Sequence, residues 1–228
     1  AGALVGLGSS FLDMLLDFAQ TNDDDIQFWI CEGISQFGDR AVRTLEEILN
    51  GDDMPRRLCA LSALGRTGSQ KAVKPLIECL SDEQWTIRKT AASSLIQLGQ
   101  LGVAELIKLL NLGQPDLEFW AIQVLSEIGG EKSRRALIQK VLEDRISLDQ
   151  KQSIVMALKE FESPEVAGAL VQLLGDEDWI IRKQAAESLW EIGDIAESEL
   201  GLCDIQIGRA QRLNSSHFSI SYAVFCLQ

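Results

Sequence analysis

Histidine and cysteine, the side chains that most often transfer protons, attack electrophiles or bind metals, are few and scattered in this sequence. The only histidine is His217, near the end of the chain. The cysteines lie far apart, with no Cys-x-x-Cys pair: Cys31, Cys59, Cys79, Cys203 and Cys226. Ser-His-Asp and Cys-His catalysis and most mixed-ligand metal sites require histidine. We therefore expect no catalytic residue, no metal site and no cofactor, and reduced cysteines in a cytoplasmic protein.

Carboxylates are abundant, and they give the chain a formal net charge of −13. A negative field of this size repels nucleic acids and anionic lipids and favours basic partners. The glycines occur singly at the ends of helical patterns, so they do not form a phosphate-binding loop. No segment approaches the roughly 18–20 apolar residues of a membrane span. These features predict a monomeric, non-enzymatic protein that binds a protein partner, and neither nucleic acid nor membrane.

A short pattern of the form small–Leu/Ile–x–x–apolar–Gly recurs along the chain in steps of 30–33 residues. Its copies are ALVGLG (3–8), GISQFG (33–38), ALGRTG (63–68), SLIQLG (94–99), VLSEIG (124–129) and SLWEIG (188–193). A further copy, ALKEFE (157–162), carries Glu162 in place of the glycine. Units this short cannot bury a core alone, but stacked units share one.

Each repeat holds two helical patterns joined by an acidic turn. A first helix such as AVKPLIECL (72–80) is followed by a turn such as SDE (81–83) and a second helix. The second helix has apolar residues at i, i+4, i+8 and i+11, as in Ile87, Ala91, Leu95 and Leu98. Acidic residues cap the following helix, and the closing glycine suits a left-handed residue after a helix end. The pattern predicts an all-α, right-handed α-solenoid of stacked antiparallel helix pairs, with about six repeats.

The clearest second-helix copies, DEQWTIRKTAASSL (82–95) and DEDWIIRKQAAESL (176–189), share the motif D-x-x-W-x-[IV]-R-x-x-A-A-x-x-L-x-x-[IL]-G. This motif resembles the HEAT-repeat family in its short prokaryotic form, as in HEAT-type phycobilin lyases. We expect the array to cover residues 1–203, with incomplete first and last repeats. Residues 204–228 are predicted to be a tail outside the repeats, and from Arg209 onward this tail has no acidic residue and no helical period. They resemble cloning-derived or frame-shifted sequence.

The resemblance implies an inter-repeat ladder of Asp and Arg. Asp82 and Arg88 are six residues apart, as are Asp176 and Arg182. Other repeats keep only part of this pair or lose it: Arg57, Lys151, Gln27 and Glu118. The tryptophans of the motif, Trp85 and Trp179, are in the first turn of their helices. We expect them to pack against a neighbouring repeat's loop, so the motif is read as architecture.

A second duplication points to a surface. QFWICEGISQFG (27–38) and EFWAIQVLSEIG (118–129) each place a tryptophan on the line i, i+4, i+7, i+11 of a second helix. This line, called here the outer stripe, is otherwise polar and acidic. Its members are Asp25, Trp29, Glu32 and Gln36; Asp116, Trp120, Gln123 and Glu127; Thr86, Thr90, Ser93 and Gln97; and Ile180, Gln184, Glu187 and Glu191.

Two interpretations of Trp29 and Trp120 stay open at this point. Second helices line the concave face in this family, and tryptophan is enriched at interface hot spots. In the first interpretation, Trp29 and Trp120 mark a partner-binding surface with Asp25, Glu32, Asp116, Gln123, Glu127, Thr86, Gln184 and Glu187. Alternatively, each tryptophan lies flat over a neighbouring helix. The leading functional expectation is a scaffold that binds a basic or amphipathic protein segment. The alternatives are a phycobilin-lyase or chromophore-chaperone component and a regulatory module of a larger protein.

Overall fold

The computed structural model describes residues 14–15, 24–143 and 146–192. Within these residues every regular element is a helix. The chain forms two compact units, Ala1–Ile128 (unit 1) and Gly129–Gln228 (unit 2). His217, the segment 3–8 and the segment 204–228 lie outside the described residues. None of the described helices has both the length and the apolar character needed to cross a membrane.

Unit 1 is a stack of helix pairs. Its second helices are α1 (Asp24–Ser35), α3 (Met54–Arg66), α5 (Trp85–Leu98) and α7 (Pro115–Ile128), and its first helices are α2 (Asp39–Leu49), α4 (Val73–Glu78) and α6 (Val103–Leu109). Short 3-10 turns at Gln70–Ala72, Cys79–Ser81 and Gly99–Leu101 extend the first helices. Consecutive second helices pack against each other, and α3, α5 and α7 each also pack against the first helix that precedes them. The predicted all-α architecture of stacked helix pairs is confirmed.

Unit 2 repeats the arrangement with fewer described helices. They are α8 (Gly130–Val141), α9 (Leu148–Leu158), α10 (Pro164–Leu173) and α11 (Trp179–Glu191). The second helices α9 and α11 pack together, and α11 also packs against α10.

The helices begin and end where the residue types require it. Asp53 accepts a hydrogen bond from the Arg56 N–H at 3.1 Å and caps α3. Asp178 does the same for α11 through the Ile180 N–H at 2.7 Å. The closing glycines Gly38, Gly68, Gly99 and Gly129 have φ of 53°, 61°, 61° and 66°. The predicted acidic caps and left-handed glycines are confirmed at these positions.

The core follows the predicted apolar stripe of the second helices. Ile87, Ala91 and Leu95 are fully buried in unit 1, as are Ile181 and Ala185 in unit 2. In α1 the stripe is buried only in its second half, because Ile34 is fully buried while Ile26 is 47% exposed. Burial of the stripe leaves the other faces of these helices for contact with solvent or with a partner.

The second helices of unit 1 pack very closely at one point. Gly65 of α3 faces Ser94 of α5, and a Cβ atom at Gly65 would lie 2.8 Å from the Ser94 Cα and Cβ atoms. Such a distance is shorter than van der Waals contact, so only glycine allows this approach. This contact sets the spacing between two helices that carry the outer stripe.

Candidate partner-binding surface on the second helices

The outer stripe faces outward in unit 1. Trp29 is 69% exposed, and Asp25, Gln36, Thr86, Asp116, Gln123 and Glu127 are also exposed. Glu32 and Trp120 are half-buried. In unit 2, Gln184 and Glu187 of α11 are half-buried.

Trp29 stands on a fixed base formed with α3. Its ring meets the Phe28 ring edge-to-face, with 5.3 Å between the centroids. The Arg66 guanidinium carbon lies 4.5 Å from the centre of the Phe28 ring, and Arg66 Nη1 is 3.3 Å from Glu32 Oε2. Arg66 thus holds Phe28 and Glu32 through a cation–π contact and an ion pair. The indole of Trp29 is left largely uncovered, which disfavours the interpretation that it lies flat over a neighbouring helix.

Trp120 lines an open cleft of about 550 Å³ between the turn before α5 and the first half of α7. Its ring meets that of Phe119 edge-to-face, with 5.5 Å between the centroids. The residues that line this cleft, called the Trp85–Trp120 cleft, are Leu80, Ser81, Asp82, Trp85, Arg88, Gly113, Gln114, Pro115, Asp116, Leu117, Phe119 and Trp120. The cleft therefore joins a tryptophan of the outer stripe to a tryptophan of the repeated motif.

Trp85 and Trp179 are more exposed than expected for residues that pack against a neighbouring repeat's loop. Trp85 is 55% exposed and Trp179 is 63% exposed. Trp85 shares the cleft with Gly113 and Gln114 of the neighbouring repeat's loop, yet more than half of its surface is exposed. The Lys89 ammonium lies 5.1 Å from the centre of the Trp85 ring. Sequence reasoning missed Trp85 as a surface residue because its first-turn position resembles a packing position.

The distance between Trp29 and Trp120 follows from the order of the helices. Trp29 is on α1 and Trp120 on α7, with α3 and α5 between them. Neighbouring helices are about 8–10 Å apart, so the two residues are separated by roughly 25–30 Å across the stack. They do not form a single pocket, and a partner that contacts both must be extended.

The ladder residues lie at the repeat junctions. The aspartate and the arginine of one motif do not pair with each other but have different partners. The Asp82 carboxylate binds the Arg57 guanidinium of the preceding second helix. The Asp176 carboxylate likewise lies 2.6 Å from Lys151 Nζ. Arg88 instead donates to the Asp82 and Glu83 carbonyls at 2.7 and 3.0 Å. Arg182 makes the same contacts, 2.8 and 2.9 Å, with the Asp176 and Glu177 carbonyls.

These partners control the ionisation of the two aspartates. Burial would raise the pKa of the Asp82 carboxyl, but hydrogen bonds from Arg57 and the Gln84 N–H and the charges of Arg57 and Arg88 outweigh it. The pKa of Asp82 is therefore lowered from its ordinary value. The pKa of Asp176 is lowered in the same way, against burial, by Lys151, the Asp178 N–H and Arg182. Both carboxylates are charged at neutral pH and hold adjacent second helices together.

Glu118 breaks the ladder yet keeps a structural role. It occupies the Arg88 position of its repeat and is only 3% exposed. Its Oε1 accepts a hydrogen bond from the Gly113 N–H at 2.8 Å. Where arginine donates to the carbonyls of the preceding turn, this glutamate accepts from an N–H of that turn.

The three cysteines among the described residues are free and buried, as predicted. Cys31 and Cys59 sulfurs lie 3.2 Å apart between α1 and α3. Their hydrogen bond lowers the pKa of Cys31, and the same bond together with burial raises the pKa of Cys59. Burial raises the pKa of Cys79 to about 11. Within the described residues no group of three or more His, Cys, Asp or Glu side chains could hold a metal ion.

Comparison with known proteins gives a family and relatives. A family model described as HEAT repeats matches residues 56–105 and 140–200. Phycocyanobilin lyase subunit alpha of Nostoc sp. (strain PCC 7120) is 31% identical over an alignment of 176 residues that covers 71% of this chain. The chain spans 64% of the length of that relative.

Two solved structures match most of this chain with TM-scores near 0.4. One is the complex of CpcE and CpcF of phycocyanin lyase from Nostoc sp. PCC7120, with 24% identity, coverage of 95% of this chain and 92% of that chain, and a TM-score of 0.40. Another is a designed armadillo repeat protein in complex with the peptide (KR)4, with 17% identity, coverage of 80% and 99%, and a TM-score of 0.41.

Proposed function

We propose, on the match of HEAT repeats to residues 56–105 and 140–200, that the chain is a non-enzymatic HEAT-repeat scaffold that binds a protein partner on the outer stripe of unit 1. The observation that carries the proposal is the 69% exposure of Trp29 on a stripe that is otherwise polar and acidic. A large aromatic ring exposed to water at a fixed position gains free energy when a partner covers it. The polar residues at the equivalent position of other repeats, such as Thr90 and Gln184, would not gain free energy in this way.

The chemistry of the stripe indicates the kind of partner. Asp25, Asp116 and Glu127 lie on the outer stripe with the two tryptophans and give it a negative field, while Glu32 is paired with Arg66. Such a field speeds the encounter with a basic segment, while the aromatic anchors slow its release. The partner is therefore a basic or amphipathic segment, with apolar side chains for the tryptophans and cationic ones for the carboxylates.

The separation of the anchors sets the length of this segment. A path of roughly 25–30 Å corresponds to about eight residues of extended chain at about 3.3 Å each, or to about eighteen residues of helix at about 1.5 Å each. A rigid aromatic base at each end favours a segment that contacts both anchors at once, because the second contact is then intramolecular.

The test is a double substitution, Trp29→Ala with Trp120→Ala, measured against a peptide selected for binding to the unaltered chain from a displayed library of random 18-residue segments. We expect the dissociation constant to rise by at least about thirtyfold, since even one hot-spot aromatic contributes about 2 kcal/mol or more. The matched control is Trp190→Ala, because Trp190 is 54% exposed but belongs to unit 2. Unchanged affinity in a variant with an unchanged helical circular dichroism spectrum would contradict the proposal.

A second candidate function is supported by the relative named phycocyanobilin lyase subunit alpha. If this chain has a similar role, a linear tetrapyrrole would contact the aromatic cleft, and the name of the relative implies that another subunit completes the activity. Mixing the chain with phycocyanobilin and recording absorbance and fluorescence separates the candidates. A shifted spectrum favours the lyase-type role, and an unchanged spectrum favours the scaffold.

A further inference from the structure

In unit 1, the ladder arginine Arg88 has no aspartate at the position where its partner would be expected. Arg57 of α3 binds the carboxylate of Asp82, which lies in the turn before the next second helix. Arg88 holds the corresponding position in α5, 31 residues after Arg57. The residue that corresponds to Asp82 in the next turn is Leu112, 30 residues later, and it is 51% exposed. At this junction an exposed leucine replaces the carboxylate.

Arg88 uses only part of its hydrogen-bonding capacity. Its Nη1 donates to the carbonyls of Asp82 and Glu83. A guanidinium carries several further N–H donors in a planar fork that matches a carboxylate. Among the described residues no carboxylate forms a salt bridge with Arg88, and its side chain lines the Trp85–Trp120 cleft.

The cleft surrounds this cation with aromatic and apolar groups. The rings of Trp85, Phe119 and Trp120 line it together with Pro115. A carboxylate that entered would be partly removed from water beside the guanidinium, where a charge-assisted pair is stronger than at an open surface. Two carboxylates of the chain also line the cleft. Asp82 is already paired with Arg57, and the charge of Asp116 is screened because this residue is exposed to solvent.

We propose that the Trp85–Trp120 cleft binds an acidic side chain of the partner segment, which takes the place of the missing ladder aspartate, together with an adjacent apolar side chain between the aromatic rings. This inference rests on the proposed function, because Trp120 belongs to both the outer stripe and the cleft. The partner segment is then mainly basic, carries one Asp or Glu, and pairs it with Arg88 as Asp82 pairs with Arg57.

The decisive variant is Leu112→Asp, which supplies the missing carboxylate from within the chain. The probes are two versions of one selected peptide, amidated at the C-terminus, that differ only by Asp against Asn at the acidic position. We expect the Asp version to bind the unaltered chain at least about tenfold more tightly than the Asn version. In Leu112→Asp this preference should disappear while the Asn version binds as before, and in Arg88→Gln the ratio of the two affinities should fall to about one.

A second readout needs no peptide. If Arg88 lacks a carboxylate partner, Leu112→Asp completes the ladder and should raise the melting temperature by about 2–4 °C. Leu112→Asn is the matched control and should not. Selected peptides without an acidic residue, equal binding of the two peptide versions, or an unchanged preference in Leu112→Asp would each overturn the inference. The double substitution Trp29→Ala with Trp120→Ala tests the scaffold proposal separately. If it abolishes binding while the Asp and Asn peptides bind equally well, the scaffold proposal stands and only the assignment of the cleft to an acidic side chain is overturned.

Discussion

At the scale of single residues, the repeated motif separates into side chains with different tasks. Asp82 caps its own turn, since its Oδ1 accepts from the Gln84 N–H at 2.9 Å, and it also binds Arg57 of the preceding repeat. Arg88 fastens the turn through its carbonyl groups. Trp85 has neither task and is left open to solvent. A motif that is uniform in sequence is therefore part junction and part surface.

The Arg57–Asp82 pair predicts a measurable stability. The two side chains are only 13% and 18% exposed, so Asp82→Ala leaves a shielded guanidinium without its charge partner and should cost about 1.5–3 kcal/mol of unfolding free energy. Glu46→Ala, an exposed change on α2, is the control and should cost little. Urea unfolding followed by tryptophan fluorescence gives both values, and equal values would contradict this role of Asp82.

The same pair predicts how the cost of Asp82→Ala depends on pH. The pKa of Asp82 is lowered in the folded chain from its ordinary value of 3.8. A lowered folded-state pKa means that the stabilisation is complete above the ordinary value and is lost as pH falls through the folded value. The difference between the unaltered chain and Asp82→Ala should thus be constant from pH 7 to 5 and shrink below about pH 4.

At the scale of helices, the stack depends on how closely second helices approach. Gly65→Ala would place a methyl group 2.8 Å from backbone and side-chain carbons of Ser94. Since the obstacle includes backbone, α3 and α5 must move apart, and overpacking of this kind costs about 1–3 kcal/mol.

Gly33→Ala is the matched control, and we expect it to stabilise the fold where Gly65→Ala destabilises it. Gly33 lies inside α1, and a Cβ there meets nothing within 4 Å. Alanine should stabilise this helix by about 0.5–1 kcal/mol, because glycine is the poorer helix former. Thermal melting of the two variants decides the point, and a destabilised Gly33→Ala or a neutral Gly65→Ala would contradict the packing described here.

The helices could be predicted from the sequence because each repeat contains the local residue patterns that start and end its helices. The acidic caps, the buried stripe and the closing glycines are local, and the period near 31 residues repeats them. The partner of Asp82 and the exposure of Trp85 could not be predicted in this way. The partner of Asp82 is a residue 25 positions earlier in the chain. The surroundings of Trp85 include Gly113 and Gln114 of the next repeat.

At the scale of the whole molecule, the net charge and the placement of the tryptophans describe the expected interaction. The charge of −13 attracts a basic partner over distances comparable to the Debye length of about 8–10 Å. Three of the five tryptophans, Trp29, Trp85 and Trp120, lie in unit 1, and the other two, Trp179 and Trp190, lie in unit 2. The proposed binding surface uses only the first group, so the two units give different predictions for one partner.

The most direct test uses this difference. The chain is labelled with 5-fluorotryptophan, its five fluorine signals are assigned by single substitutions, and the selected basic peptide is added. Binding on the outer stripe predicts that the signals of Trp29 and Trp120 shift, that Trp85 shifts with them through the shared cleft, and that Trp179 and Trp190 stay unchanged. Shifts at Trp179 and Trp190 with none at Trp29 and Trp120 would contradict the account.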